Sequence, residues 1–222
     1  MTTLELFTRL VRAPTALLNE HGERALSHLA PRLLTIIALC SCFLGFSVGS
    51  HHSLQQGIFA GLKMPLVFLL PPLLAVPALA AAGDLLGLPA SARRAAAAGL
   101  LAMTRIAIFA LAFAPVAWLL ATVSQSYRVA ALATTLHLAV AGLAGLSLLV
   151  HTAPGAMRAA WTTRAAMLGV VLALFGTVAA QTGWLLRPFI LKPELTPELF
   201  QPPESDVFTE VLDRLENPRG SY

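Results

Sequence analysis

Four polar side chains stand inside stretches that are otherwise apolar: Lys63, Arg105, His137 and Gln181. Charged or ionisable groups in such places are costly, and they serve ion or proton paths or anionic ligands. Lys63 belongs to GIFAGLKMPLVFLL, residues 57–70. It stands about five residues into its predicted helix, roughly 7–8 Å from the end at 1.5 Å per residue. From there the ammonium can snorkel to the headgroups. The alternative partners are a backbone carbonyl near the prolines or a lipid phosphate. A carboxylate partner is limited by supply, since Asp84 is the only acidic residue between Glu23 and Glu194 and is expected at the opposite membrane face. Arg105 snorkels in the same way if its span begins near Ala102, with a structural or lipid-binding role as the alternative. His137 is expected to hydrogen-bond within a helix bundle, to Thr134, Thr135 or Gln181. Pro71 and Pro72, near the middle of the same apolar run as Lys63, are the candidate kink, because each removes a helix N–H.

Other chemistry finds no residues. His51 and His52 are adjacent and diverge on a helix, and no HExxH or Cys/His cluster is present, so neither a metal nor a cofactor is expected. There is no glycine-rich phosphate loop and no GxSxG. An intramembrane protease needs paired aspartates, a Ser–His pair or a zinc motif, and Asp84 alone does not supply the first. The expectation is that the chain is not an enzyme. Cys40 and Cys42 read as inert thiols. Around them the lipoprotein pattern fits only in part, and the apolar run continues through Val48.

The elements that carry these residues are membrane-spanning helices. The chain has 222 residues, 57% hydrophobic and 12% charged. A soluble domain carries roughly 25% charged residues, and no soluble fold of this size covers its surface with so few. The net charge of +4 does not indicate nucleic acid, because the basic residues sit at the ends of apolar runs.

The predicted fold is all-α, a polytopic bundle of about five spans at 33–50, 58–82, 95–123, 129–150 and 165–186. A re-entrant or split second span would make four or six. Residues 1–32 form an N-terminal amphipathic segment. In it Thr2 and Glu5 fit a capping box, and Leu4, Phe7, Leu10 and Val11 share a face suited to the membrane surface. The bundle occupies 33–187. The tail, 188–222, is polar and ends in a short helix lined by Val207, Phe208, Val211, Leu212 and Leu215. Gly45/Gly49 and Gly57/Gly61 each have the spacing that permits close helix approach in membranes.

Orientation follows from the basic residues. With the N-terminus in the cytoplasm, Arg9, Arg12, Arg24, Arg32, Arg93, Arg94, Arg158 and Arg164 all lie inside, and the outer loops carry only Arg128. Five spans then place the C-terminus outside.

At residues 57–70 and again at 181–189 (QTGWLLRPF) the chain resembles bacterial multi-spanning proteins of the Yip1-like group, over roughly residues 33–189. The resemblance implies a membrane protein without known catalytic residues, and a bacterial inner membrane is the expected location. The expected function is that of an integral membrane scaffold or a component that binds a protein partner, a second copy or anionic lipid. The alternative is a channel or transporter for a small or anionic solute.

Overall fold

A computed structural model describes residues 3–12, 16–17, 25–51, 53–85, 92–124, 127–152, 160–186 and 199. They form six helices: α1 (Thr3–Arg12), α2 (Ala25–Ser50), α3 (Leu54–Leu85), α4 (Ala92–Ser124), α5 (Tyr127–Thr152) and α6 (Trp161–Leu185). No strand occurs among the described residues. By length and composition four stretches can cross a membrane: Leu29–Ser50, Leu54–Ala75, Arg93–Leu120 and Trp161–Leu185. α5 adds the shorter apolar stretch Leu132–Leu148. The described residues are therefore almost wholly helical, and their four to five apolar helices are those of a multi-pass integral membrane protein. The short C-terminal helix and Thr2 lie outside the described residues.

The helices extend further than the apolar runs alone predict. α2 begins at Ala25 and crosses position 33 without interruption, with Pro31 inside it. One proline removes one ladder bond, and the Thr35 hydroxyl donates to the Pro31 carbonyl at 2.9 Å. α3 starts at Leu54 because Ser53 caps it. The Ser53 hydroxyl accepts the Gln56 N–H at 3.1 Å, and its carbonyl takes the first helical bond from Gly57 at 3.0 Å. Ser-x-x-Gln is capping-box spacing. α3 remains helical through Pro65, Pro71, Pro72 and Pro77. Pro71 and Pro72, both buried, withdraw the N–H groups that would close on the carbonyls of Val67 and Phe68.

α3 and α4 form the centre. α2 packs against both of them, and α5 and α6 complete a ring by packing on α4, on α3 and on each other. A three-helix wedge, α2–α3–α4, thus shares two helices with a four-helix ring, α3–α4–α5–α6. From Ala97 to Ala110 α4 turns buried residues to every side. Its alanines let neighbours approach on all faces, so the alanine-rich start belongs to the core.

The α2–α3 hairpin is the tightest seam. A Cβ on Gly45 would lie 2.5 Å from the Ala60 carbonyl oxygen, and one on Gly49 would lie 2.6 Å from that of Gln56. Gly57 and Gly61 are pressed against Phe46 and Cys42 from the other side, at 3.2 and 3.1 Å. Each glycine pair therefore admits the opposite helix, Gly45 and Gly49 taking Gln56, Ala60 and Met64, and Gly57 and Gly61 taking Cys42, Phe46 and Ser50.

α1 packs on α4. Leu6 and Leu10 are buried, whereas Phe7 is exposed. Of the expected face of Leu4, Phe7, Leu10 and Val11, Leu10 is buried and Val11 packs partly on the core, while Phe7 is exposed; Leu6 joins Leu10, four apart, at the bundle. Glu5 and Arg9 form an ion pair at 3.5 Å on the outer side.

Candidate functional site

The site begins with the start of α3. Because the helix opens at Leu54, Lys63 lies nine residues in, about 13 Å along the axis, near the middle of the apolar stretch Leu54–Ala75. Its side chain is 2% exposed. The ammonium meets a backbone carbonyl, one of the expected kinds of partner, though not one near the prolines. Nζ donates a 2.6 Å hydrogen bond to the backbone carbonyl of Leu199. Leu199 lies beyond the last helix, 136 residues further along the chain. Leu199, which follows α6 in the chain, therefore lies against α3. Hydrogen bonds with one charged partner are roughly twice as strong as neutral ones, and in hydrocarbon a cation without compensation is disfavoured by several kcal/mol or more.

Gln56 lies seven residues before Lys63, on the same stripe of α3, and is fully buried. It faces Gly49 through its backbone. The stripe from Gln56 to Lys63 runs alongside the α2 contact. It leads inward from the end of the bundle where α3 starts and, with five crossings, α6 ends.

Arg105 is half-buried in α4. It stands twelve residues after Arg93, the start of its apolar stretch, which is about 18 Å along the helix. That is deeper than a span starting at Ala102 would put it. Its guanidinium carbon lies 5.5 Å from the centre of the Phe109 ring, one turn on, a cation–π arrangement. Its Nε is buried and has no hydrogen-bond partner among the described residues.

His137 of α5 reaches across to α4. Its Nε2 lies 2.7 Å from the Ala110 carbonyl. A carbonyl only accepts, so Nε2 carries the proton. The imidazole edge meets Phe113 with ring centres 6.0 Å apart. The partner is a backbone group of α4, in the turn before Pro115, rather than Thr134, Thr135 or Gln181. Gln181 is half-buried near the end of α6, beside the buried Thr182. Thr182 closes the helix by accepting the Leu186 N–H at 3.0 Å.

No family model, curated protein or solved structure matches the chain. Its site must be read from its own residues.

Arg105 and His137 both bear on α4 between residues 105 and 113, whereas Lys63 belongs to α3 and the C-terminal segment. Among the described residues no group of three or more His, Cys, Asp or Glu could hold a metal ion. Cys40 and Cys42 are free, half-buried thiols of α2. Other buried hydroxyls close on their own helices: Ser41 donates to Ile37 at 2.6 Å and Thr104 to Leu100 at 2.7 Å. Two functional groups escaped the sequence. Gln56 was signalled only by the capping-box spacing from Ser53. The Leu199 carbonyl has no side-chain signature at all.

Proposed function

We propose that this chain is a non-enzymatic integral membrane component of a larger assembly, whose bundle holds the C-terminal segment in place for a protein or lipid partner. One observation carries the reading: the hydrogen bond from Lys63 to the Leu199 carbonyl. The deepest cation of α3 is used to tie the end of the chain to the bundle. The segment beyond Arg187 contains seven of the eleven acidic residues of the whole chain, Glu194, Glu198, Glu204, Asp206, Glu210, Asp213 and Glu216. The basic residues grouped at one side support a cytoplasmic N-terminus and an external C-terminus. The Yip1-like resemblance and a bacterial inner membrane fit the same picture.

The test is affinity capture from mild detergent with mass spectrometry. Deleting 204–222 or 2–30 should remove a co-purifying partner while the bundle stays folded. If both deletions leave every interaction in place, the reading fails. The second reading, a path for a small or anionic solute, is favoured by the depth of Lys63 and Arg105. It requires that Lys63→Ala abolish a solute flux in proteoliposomes without loss of expression.

A further inference from the structure

The open edge of α4 carries a cation. Between Ala97 and Ala110 every residue of that helix is buried except Leu100, Arg105 and Phe109. Arg105, Phe109, Ala112 and Val116 fall within about 60° of one another at 3.6 residues per turn, and Ala112 and Val116 are exposed. They form one strip on the outside of the bundle, with the guanidinium at one end against the Phe109 ring at 5.5 Å. The Nε of Arg105 is buried and has no hydrogen-bond partner among the described residues. A buried donor left without a bond costs about 1–3 kcal/mol, and more when it is charged. The neighbouring Thr104 hydroxyl is spent on the Leu100 carbonyl. The roughly 18 Å from Arg93 to Arg105 runs along α4, and α4 is longer than a bilayer is thick. Its 33 residues make about 49 Å against a hydrocarbon layer of about 30 Å, so part of it projects. Counted from Ser124, Arg105 is nineteen residues in, about 29 Å, the full thickness of that layer. α5 leads to the same side. It runs antiparallel to α4, since His137 meets Ala110 and Gly145 faces Ala102 and Ile106. Leu148 ends the apolar stretch of α5, eleven residues from His137, and Arg105 is five residues from Ala110 in the same direction. Arg105 therefore stands only about 9 Å short of that end, beside the headgroups on the side where α4 begins.

We propose that Arg105 and the strip beyond it bind an anionic phospholipid of the leaflet on that side, with phosphate oxygens on the guanidinium and an acyl chain along Phe109, Ala112 and Val116. A guanidinium suits this ligand because its N–H groups form a rigid fork that matches two phosphate oxygens. Stacking on Phe109 holds the plane of the fork before the lipid arrives. The rest of the strip is apolar and leads toward the bilayer centre, which is the course of an acyl chain. The lipid meets the strip from the membrane and needs no route into the bundle. A free anion lacks the hydrocarbon tail that this strip would hold. The inference rests on the lipid-partner part of the proposed function and deepens it.

The experiment uses the full chain reconstituted in vesicles, with Trp118, Trp161 and Trp184 replaced by phenylalanine and one tryptophan introduced by Ala112→Trp. Position 112 is exposed and about 10 Å from Arg105 along the strip. Its fluorescence is quenched by phosphatidylglycerol brominated at mid-chain and, separately, by phosphatidylcholine brominated alike. The ratio gives the preference of the strip for the anionic lipid. A preference of about five-fold is expected, the equivalent of about 1 kcal/mol for one basic residue at a membrane surface. Arg105→Gln should bring it to about one. Arg93→Gln removes an equal charge from the exposed start of α4 and should leave it near five-fold. Arg105→Lys, the variant to use if glutamine prevents folding, keeps the charge without the fork and should give an intermediate value. Equal quenching by the two lipids in the parent refutes the site. A preference that survives Arg105→Gln, that is unchanged in Arg105→Lys, or that falls as far with Arg93→Gln refutes it too. Inorganic phosphate added at constant ionic strength should change nothing. Loss of the preference on that addition assigns the guanidinium to the free anion and overturns the lipid site. Each of these failures leaves the capture of a protein partner by the chain ends standing.

Discussion

Replacing Gly45 by alanine adds one methyl group to the α2–α3 seam, and the seam has no room for it. The new Cβ would lie 2.5 Å from the Ala60 carbonyl oxygen, 2.8 Å from its carbonyl carbon and 2.8 Å from Met64 Cβ. Two of the three obstacles are backbone, so no rotamer change relieves them. Ordinary contact requires about 3.4 Å, and the two helices must separate by nearly 1 Å. A gap of that size forfeits a quarter to a half of each dispersion contact along the seam. Overpacking of this kind costs about 1–3 kcal/mol. Alanine returns up to about 1 kcal/mol as the better helix former. The net loss is about 1–2 kcal/mol, which for a chain of this length lowers the midpoint of thermal unfolding by roughly 2–8 °C. Cys40 and Cys42 allow a direct assay. Both are free, half-buried and on α2, so a maleimide dye that fluoresces on reaction reports the release of that helix. Gly142→Ala is the control, because a Cβ there meets nothing within 4 Å. It should be neutral or slightly stabilising. Gly61→Ala, at 3.1 Å from the Cys42 carbonyl, should fall between the two. Equal midpoints for Gly45→Ala and Gly142→Ala would refute the interlocked seam.

The α4–α5 contact behaves alike. Gly145→Ala drives a methyl into the Ile106 side chain and to 2.9 Å from the Ala102 carbonyl, so the same assay should show a loss of about 1–3 kcal/mol. His137→Phe keeps the ring against Phe113 but loses the bond to Ala110, and should cost about 0.5–1.5 kcal/mol. His137→Ala removes the ring as well and should cost more, again by unfolding midpoint. Leu10→Asp places a charge on the buried face of α1. Amide exchange over residues 3–12 should accelerate while the spanning helices keep their protection. A reporter fused after Tyr222 should be active outside the cytoplasm, and cytoplasmic activity would remove the five-span topology.

The spanning helices were legible because a bilayer imposes one solution on a long apolar run. The glycine pairs were legible for a related reason. Without side chains to pack, close approach is what Gly45, Gly49, Gly57 and Gly61 have to offer. Depth was not legible. Lys63 was placed near a helix end because the apolar run starts near Ile58, but Ser53 caps the helix earlier and lowers the lysine by a full turn. On α1, Leu6 and Phe7 are both apolar, and only the surface of α4 chooses between them. The partners of Lys63 and His137 are backbone carbonyls of Leu199 and Ala110. A carbonyl belongs to every residue, so no spacing in the sequence could mark these two.

The 136 residues between Lys63 and Leu199 are also an interval of time. Ribosomes add about 5–20 residues per second, so the carbonyl that meets Lys63 is made roughly 7–27 s after the lysine itself. Through that interval α3 enters the membrane and closes on α2 before the Leu199 carbonyl exists. A ribosome stalled before residue 199 would leave α1 to α6 complete and the Leu199 bond to Lys63 still unmade.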